Sequence, residues 1–156
     1  MGQVTSEKRK IDDLDRKIIL ELQEDARRQF KVIATKLKVS ESTVKNRVTR
    51  LMSRGVLKLE ARVDPFAVPH GVAAVVGINL KERNYNEKME EIEKIPGVTS
   101  VWKATGRFDL FFEIMVDSLS SLNDLVFGKY LETIGGIAHI ETFVLLSSNT
   151  KYFKLL

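Results

Sequence analysis

Apolar residues recur at helical spacing through the first third of the chain. In "IDDLDRKIILELQEDA" they fall at Ile11, Leu14, Ile18, Ile19 and Leu22, separations of three and four that predict an amphipathic helix. Asp12, Asp13 and Asp15 stand where its first turn begins, the end at which the helix dipole favours anions. "FKVIATKLKV" repeats the pattern at Phe30, Ile33, Ala34 and Leu37. After Val39, Ser40 has the hydroxyl that caps a helix start. A third helix follows, with Val44, Val48, Leu51 and Met52 on its packing side and Gly55 to end it. Beyond it, the alternation in "VLKLEARV" (56–63) predicts a short strand pair, a β-wing.

The third helix has two further faces. Ser42, Asn46, Arg50 and Ser53 lie opposite the apolar side, and Thr43, Lys45, Arg47, Thr49 and Arg54 lie on the flanks. Short polar side chains between cations suit a helix in a DNA major groove, since base edges take hydrogen bonds and phosphates take charge. A basic helix of this kind is as often only solvated. Two short helices before it and a tight turn at Val39-Ser40 favour a winged helix-turn-helix. On that reading Ser42, Thr43, Asn46 and Arg50 contact bases. Lys45, Arg47, Arg54, Lys58 and Arg62 meet mainly phosphates, and Thr49 belongs to the same surface.

Charge sharpens this picture. Residues 1–63 hold 16 Lys and Arg against 9 Asp and Glu, a net +7, while residues 64–156 net −3 within the chain's +4. A basic part joined to an acidic part predicts two domains with different partners, the basic one suited to a polyanion. The expected boundaries are a DNA-binding domain over 1–63, a hinge over 64–71 ("DPFAVPHG", with two of the chain's three prolines) and a second domain over 72–156. His70 in that hinge carries no assigned chemistry. The stretch "TSEKRK" before Ile11 reads as a frayed end in preference to a basic arm.

The second part repeats. "IEKIPGVTSVW" (92–102) and "LETIGGIAHIE" (131–141) align at an offset of 39, so that Ile95, Gly97, Val98 and Val101 match Ile134, Gly136, Ile137 and Ile140. Each is a helix end, a glycine turn and a strand start, and each follows another strand and helix. The result is β-α-β-β-α-β, an α+β ferredoxin-like domain. Two short helices cannot cover Val75, Phe111, Phe112, Phe143 and Leu145 together, so an uncovered sheet face and self-association through it are expected. The alternative cover is the C-terminal "NTKYFKLL". "ATGRFDL" (104–110) reads as a hairpin that needs no ligand, yet Arg107 and Asp109 beside exposed backbone N–H groups would also suit a zwitterion.

Together, "LDRKIILELQEDAR", "IATKLKVSESTVKNRVTRLMSRGVL", "IPGV" and "TGRFDL" resemble the Lrp/AsnC family of bacterial and archaeal transcription regulators, over nearly the whole chain after Ile11. The resemblance implies sequence-specific, effector-responsive regulation of transcription. It implies homodimers formed through the sheets, often assembled into octamers, and a partly palindromic double-stranded DNA target. It also implies an amino acid or related effector at the dimer–dimer boundary near Thr105, Gly106, Arg107, Phe108 and Asp109, with Thr142 the one residue placed like the family's threonine-rich last strand. "HIETFVLLSS" and the large basic Arg107 depart from the family pattern, which leaves the effector open.

Two other functions fit the same layout. One is an architectural protein that coats DNA with weak sequence preference. The other is an enzyme, since some siroheme decarboxylases resemble this family. The chain offers only His70 and His139, no cysteine and no paired-carboxylate motif, so no enzyme, cofactor or metal site is expected. The longest apolar run is far too short to span a bilayer, and a cytoplasmic protein without a membrane partner is the expectation.

Overall fold

The computed structural model describes residues 10–154, apart from the side chains of Phe127 and Lys129. The stretch 5–9 lies outside the described residues. The chain divides between Glu60 and Ala61 into two compact units.

The first unit holds α1 (Asp13–Glu24), α2 (Phe30–Leu37) and α3 (Glu41–Ser53). Asp12 caps α1: it accepts from the backbone N–H of Asp15, whose carboxylate accepts in return from the N–H of Asp12. Lys38, in the left-handed region at φ 55°, turns the chain between α2 and α3. Ser40 caps α3 by accepting from the Thr43 N–H at 3.1 Å. Gly55 ends α3 at φ 65°, with Val56 N–H donating to Leu51 O and Gly55 N–H to Met52 O. Ile18, Leu22, Ile33, Ala34, Val44 and Val48 form the core; Met52, expected there, is 44% exposed.

The strand pair expected over 56–63 is not formed. Leu57 and Leu59, two residues apart as on one face of a strand, both pack on the helical core, but residues 57–62 make no strand pairing among the described residues. Val63 instead makes an isolated antiparallel bridge with Phe153.

In the second unit β1 (Val72–Leu80), α4 (Tyr85–Ile92), β2 (Val98–Lys103), β3 (Leu110–Val116), α5 (Leu119–Phe127), α6 (Lys129–Ile134) and β4 (Ile137–Val144) follow in order. The antiparallel sheet runs β2-β3-β1-β4, the order of a ferredoxin-like fold. The single helix expected before the second repeat is two helices, broken at Gly128, where an added Cβ would lie 2.2 Å from the backbone oxygen of Asp124. The segment 64–71, expected as the hinge, lies inside this unit. Asp64 caps a short 3-10 turn, Pro65–Ala67, and Pro65 is buried.

The helices cover one sheet face, over Ala74, Val76, Ile78, Leu110, Phe112, Ile114 and Val116. Phe112 therefore belongs to the helix-covered core and not to the open face, because it stands opposite Val76 and next to Phe111. The open face is covered at one end only. There Phe153 is fully buried against Ala73 and Met115, with Leu145 and Val68 beside it. Lys151 pairs with the buried carboxylate of Glu113. At the other end Trp102, Phe108, Phe111, His139 and Phe143 form a ring cluster, with Phe108 stacked on His139 at 6.0 Å and Phe143 45% exposed.

Candidate nucleic-acid interface and effector turn

The outward face of α3 is built as the periodicity predicts. Ser42, Lys45, Asn46 and Thr49 are exposed. Among the described residues the side chains of Lys45, Asn46 and Thr49 make no hydrogen bond or ion pair, so their donors and acceptors are open. Ser42 and Thr43 are less free: the Ser40 hydroxyl lies 2.8 Å from Ser42 Oγ and 2.7 Å from Thr43 Oγ1.

The arginines are placed differently from the sequence expectation. Arg47 bonds the carboxylates of Asp12 and Asp15. Arg50, expected at base edges, donates from Nη2 to both oxygens of Asp15 at 3.2 and 3.1 Å. Arg54 donates to the backbone oxygen of Lys10 at 3.1 Å. Asp15 is 1% exposed, and the arginine donors take the place of the water its buried carboxylate has lost. The hydrogen bond from Arg47, with the Asp15 N–H behind it, holds the Asp12 carboxyl below the usual aspartate range and raises Arg47 in turn. A second cluster acts within the same unit, where Lys36 first and Arg28 second depress the carboxyl of Glu21. Lys58, expected on a wing, lies 2.5 Å from Glu60, and Arg62 reaches the backbone oxygen of Tyr152 at 3.5 Å. The carboxylate partners of Arg47 and Arg50 carry no local sequence signal, since they lie 32 to 35 residues away.

The turn between β2 and β3 has Thr105, Gly106 and Arg107 at its exposed tip, with Gly106 at φ 117°. Ala104 N–H closes it on Asp109 O at 3.0 Å. Asn79 Nδ2 donates to Arg107 O at 2.8 Å. The Asp109 carboxylate is engaged inside the fold, accepting from the Leu80 N–H at 2.9 Å. It is therefore not the open anion expected for a ligand. Arg107 is 72% exposed, with Nη2 3.1 Å from Glu141 Oε2. Phe108 is buried over Gly77.

Thr142 does not join this group. It stands opposite Val76, on the helix-covered face, and its buried hydroxyl has no hydrogen-bond partner among the described residues. The residue on the turn's side of β4 is Glu141, opposite Gly77, which motif reading missed and strand register finds. No group of three or more His, Cys, Asp or Glu among the described residues is placed to hold a metal, and no described helix is long and apolar enough to cross a membrane.

A three-helix unit with an open polar recognition face, joined to a ferredoxin-like unit, defines the class of two-domain helix-turn-helix regulators. The AsnC-type helix-turn-helix domain matches residues 11–52, and the Lrp/AsnC ligand binding domain matches residues 73–153. The chain belongs to the Lrp/AsnC family of DNA-binding transcriptional regulators. An uncharacterized HTH-type transcriptional regulator of Pyrococcus furiosus is 35% identical over 138 residues, 88% of this chain and 93% of that one. Regulatory protein AsnC of Escherichia coli is 30% identical over 141 residues, 88% and 91% of the two chains. Among solved structures, the leucine response regulatory protein LrpA of Mycobacterium tuberculosis superimposes with a TM-score of 0.78 at 29% identity, over 90% of this chain and 96% of that one. E. coli AsnC does so at 0.68 and 27%, over 91% and 96%.

Proposed function

We propose that this regulator reads a partly palindromic operator through the outward face of α3 and responds to an amino acid at the turn 104–109. The observation that carries the DNA reading is the exposed set Lys45, Asn46 and Thr49, whose side chains have no partner among the described residues. Asn46 and Thr49 are the base readers and Lys45 the phosphate contact. Ser42 and Thr43 help at the start of the helix, where hydroxyls hydrogen-bond either bases or phosphates.

The partner on the open sheet face is a second copy of the chain. Phe143, Val75, Phe111 and Trp102 lie at the end of that face which Phe153 leaves uncovered, and a homodimer buries them. Assembly of dimers into octamers follows the family pattern. The effector's carboxylate goes to Arg107. Glu141, displaced from that ion pair, takes the ammonium. Binding favours one assembly over another, and that shift changes how several α3 helices reach their half-sites. The relatives are named as regulators, and no enzymatic step is proposed. The cytoplasm, where its DNA target lies, is the proposed site of action.

The test is selection of genomic fragments by the purified protein at about physiological salt, with and without a mixture of the twenty amino acids. A recurring partly palindromic site, altered by the mixture, is expected. Asn46→Ala then relaxes base preference, at a cost of about 1–3 kcal/mol on the selected site. No enrichment over bulk DNA would replace this reading with the architectural one.

A further inference from the structure

The recognition helix carries its arginines on one stripe, Arg47, Arg50 and Arg54, and all three turn toward the start of α1. None is sealed in the core: the Arg47 and Arg50 side chains keep 27% and 48% of their exposure. They lie at the surface beside the base-reading face, where a DNA backbone runs when a helix enters the major groove. The groups that hold them are carboxylates, and Asp12 is itself half exposed at 51%. The two carboxylates occupy Nη1 of Arg47, so the Nη1–Nη2 fork that would grip a phosphate is half taken.

We infer that Asp12 is an internal stand-in for phosphate: it keeps Arg47 off the DNA backbone and so limits affinity for DNA of any sequence. This inference rests on the family's DNA binding and goes beyond which bases are read.

The geometry favours the internal anion. Asp12 is covalently placed at the positive end of α1 and oriented by the Asp15 N–H at 2.8 Å. A phosphate must arrive from solution and displace it. Asp15 differs in kind. It is buried, it bridges Arg47 and Arg50, and removing it would disturb the packing of α1 on α3. Asp12 faces solvent, and its capping task can be performed by a neutral side chain. Asn caps a helix about as well as Asp, so Asp12→Asn removes the charge and leaves the cap.

The consequence is quantitative. One added phosphate contact steepens the dependence of log affinity on log salt by about 0.9. A contact that contributes nothing at 1 M salt then tightens binding about fivefold at about 0.15 M. A regulator that must find one operator among a genome of nonspecific sites gains from withholding such contacts.

The experiment is a salt titration of the full chain on a random-sequence duplex, with wild type, Asp12→Asn, Asp12→Ser, Asp13→Asn, Arg47→Gln and the Arg47→Gln/Asp12→Asn pair. Asp13 is an exposed acid of the same turn, and among the described residues it has no partner. It controls for the loss of any negative charge near DNA. Asp12→Asn and Asp12→Ser should each bind about fivefold tighter with a slope steeper by about one. Asp13→Asn should keep the wild-type slope, and the Arg47→Gln background should abolish the effect of Asp12→Asn. Three results would overturn the inference: an unchanged slope or weaker binding in both Asp12 variants, an equal shift in Asp13→Asn, or persistence of the gain without Arg47. Failure of the wild type to bind any duplex at low salt would strike the DNA-binding reading itself, a separate outcome.

Discussion

The corner between α1 and α3 and the turn between β2 and β3 each set an aspartate near an arginine, and they resolve the pair in opposite ways. At the corner, Asp15 is buried and draws Arg47 and Arg50 inward. At the turn, Asp109 faces away from Arg107 and accepts the Leu80 N–H, which leaves Arg107 exposed. The difference lies in what the neighbouring element demands. The end of β1 brings a backbone donor that needs an acceptor, and a carboxylate meets that need. At the corner the two aspartates already cap their own helix, and their remaining lone pairs face α3. A charge is open to a ligand only after such local needs are met.

Removing the buried anion of the corner should have the largest effect. Asp15→Ala is expected to destabilise the first unit by about 2–3 kcal/mol, since it strips a charged acceptor from two arginines and half of a cap. Urea denaturation followed by far-UV circular dichroism measures this, and a loss under about 0.5 kcal/mol would equate the corner with an ordinary surface pair. Next is Asp109→Ala, which strands the Leu80 N–H and should cost the second unit about 1–2 kcal/mol. Hydrogen exchange at the amide of Leu80 reports it locally.

Acid should separate the two regions further. The carboxyls of Asp12 and Glu21 are depressed in the fold by Arg47, and by Lys36 with Arg28. Their contribution to stability is complete above the ordinary carboxylate range. It fades as pH falls through that range toward the depressed values, because the unfolded chain takes up protons first. The first unit should therefore lose stability below about pH 4, and Asp12→Asn with Glu21→Gln should flatten that slope. A slope unchanged in the double variant would show that these pairs do not link folding to protons. The smallest effect on the fold is expected at Arg107. Arg107→Ala should change the melting free energy by less than about 0.5 kcal/mol, yet weaken effector response about tenfold in the DNA-binding titration. Equal losses in both would place Arg107 with the arginines of the corner.

The elements that depend on neighbours in sequence were legible. Apolar spacing placed all three helices of the first unit, Ser40 announced the cap of α3, and the repeat around Gly97 and Gly136 placed the sheet's connections. What depends on distant partners was not. The expected wing fails because 57–62 find no partner strand and Val63 pairs instead with the distant Phe153. Phe112 was expected on the open face and Thr142 beside the turn, and both lie elsewhere because a residue's face follows from strand register, which is set by pairing across the sheet. Arg47 and Arg50 read as contacts to DNA because no local pattern shows that Asp12 and Asp15 stand opposite them. The C-terminal segment and a second copy stood as alternative covers for the open face. Phe153 covers its Ala73–Met115 end, and Phe143 at the other end stays exposed.

Gly77 and Phe108 have a consequence for how sequences of this kind drift. A Cβ at Gly77 would lie 2.8 Å from the ring of Phe108, so the ring occupies the volume that any side chain there would need. In a fixed backbone Gly77 cannot grow unless Phe108 gives way, and Phe108 cannot shrink without leaving a cavity. A larger residue at 77 requires a smaller one at 108, and a smaller one at 108 leaves a hole that only growth at 77 refills. The two sites are sterically coupled, and lineages that exchange one are expected to exchange the other in compensation.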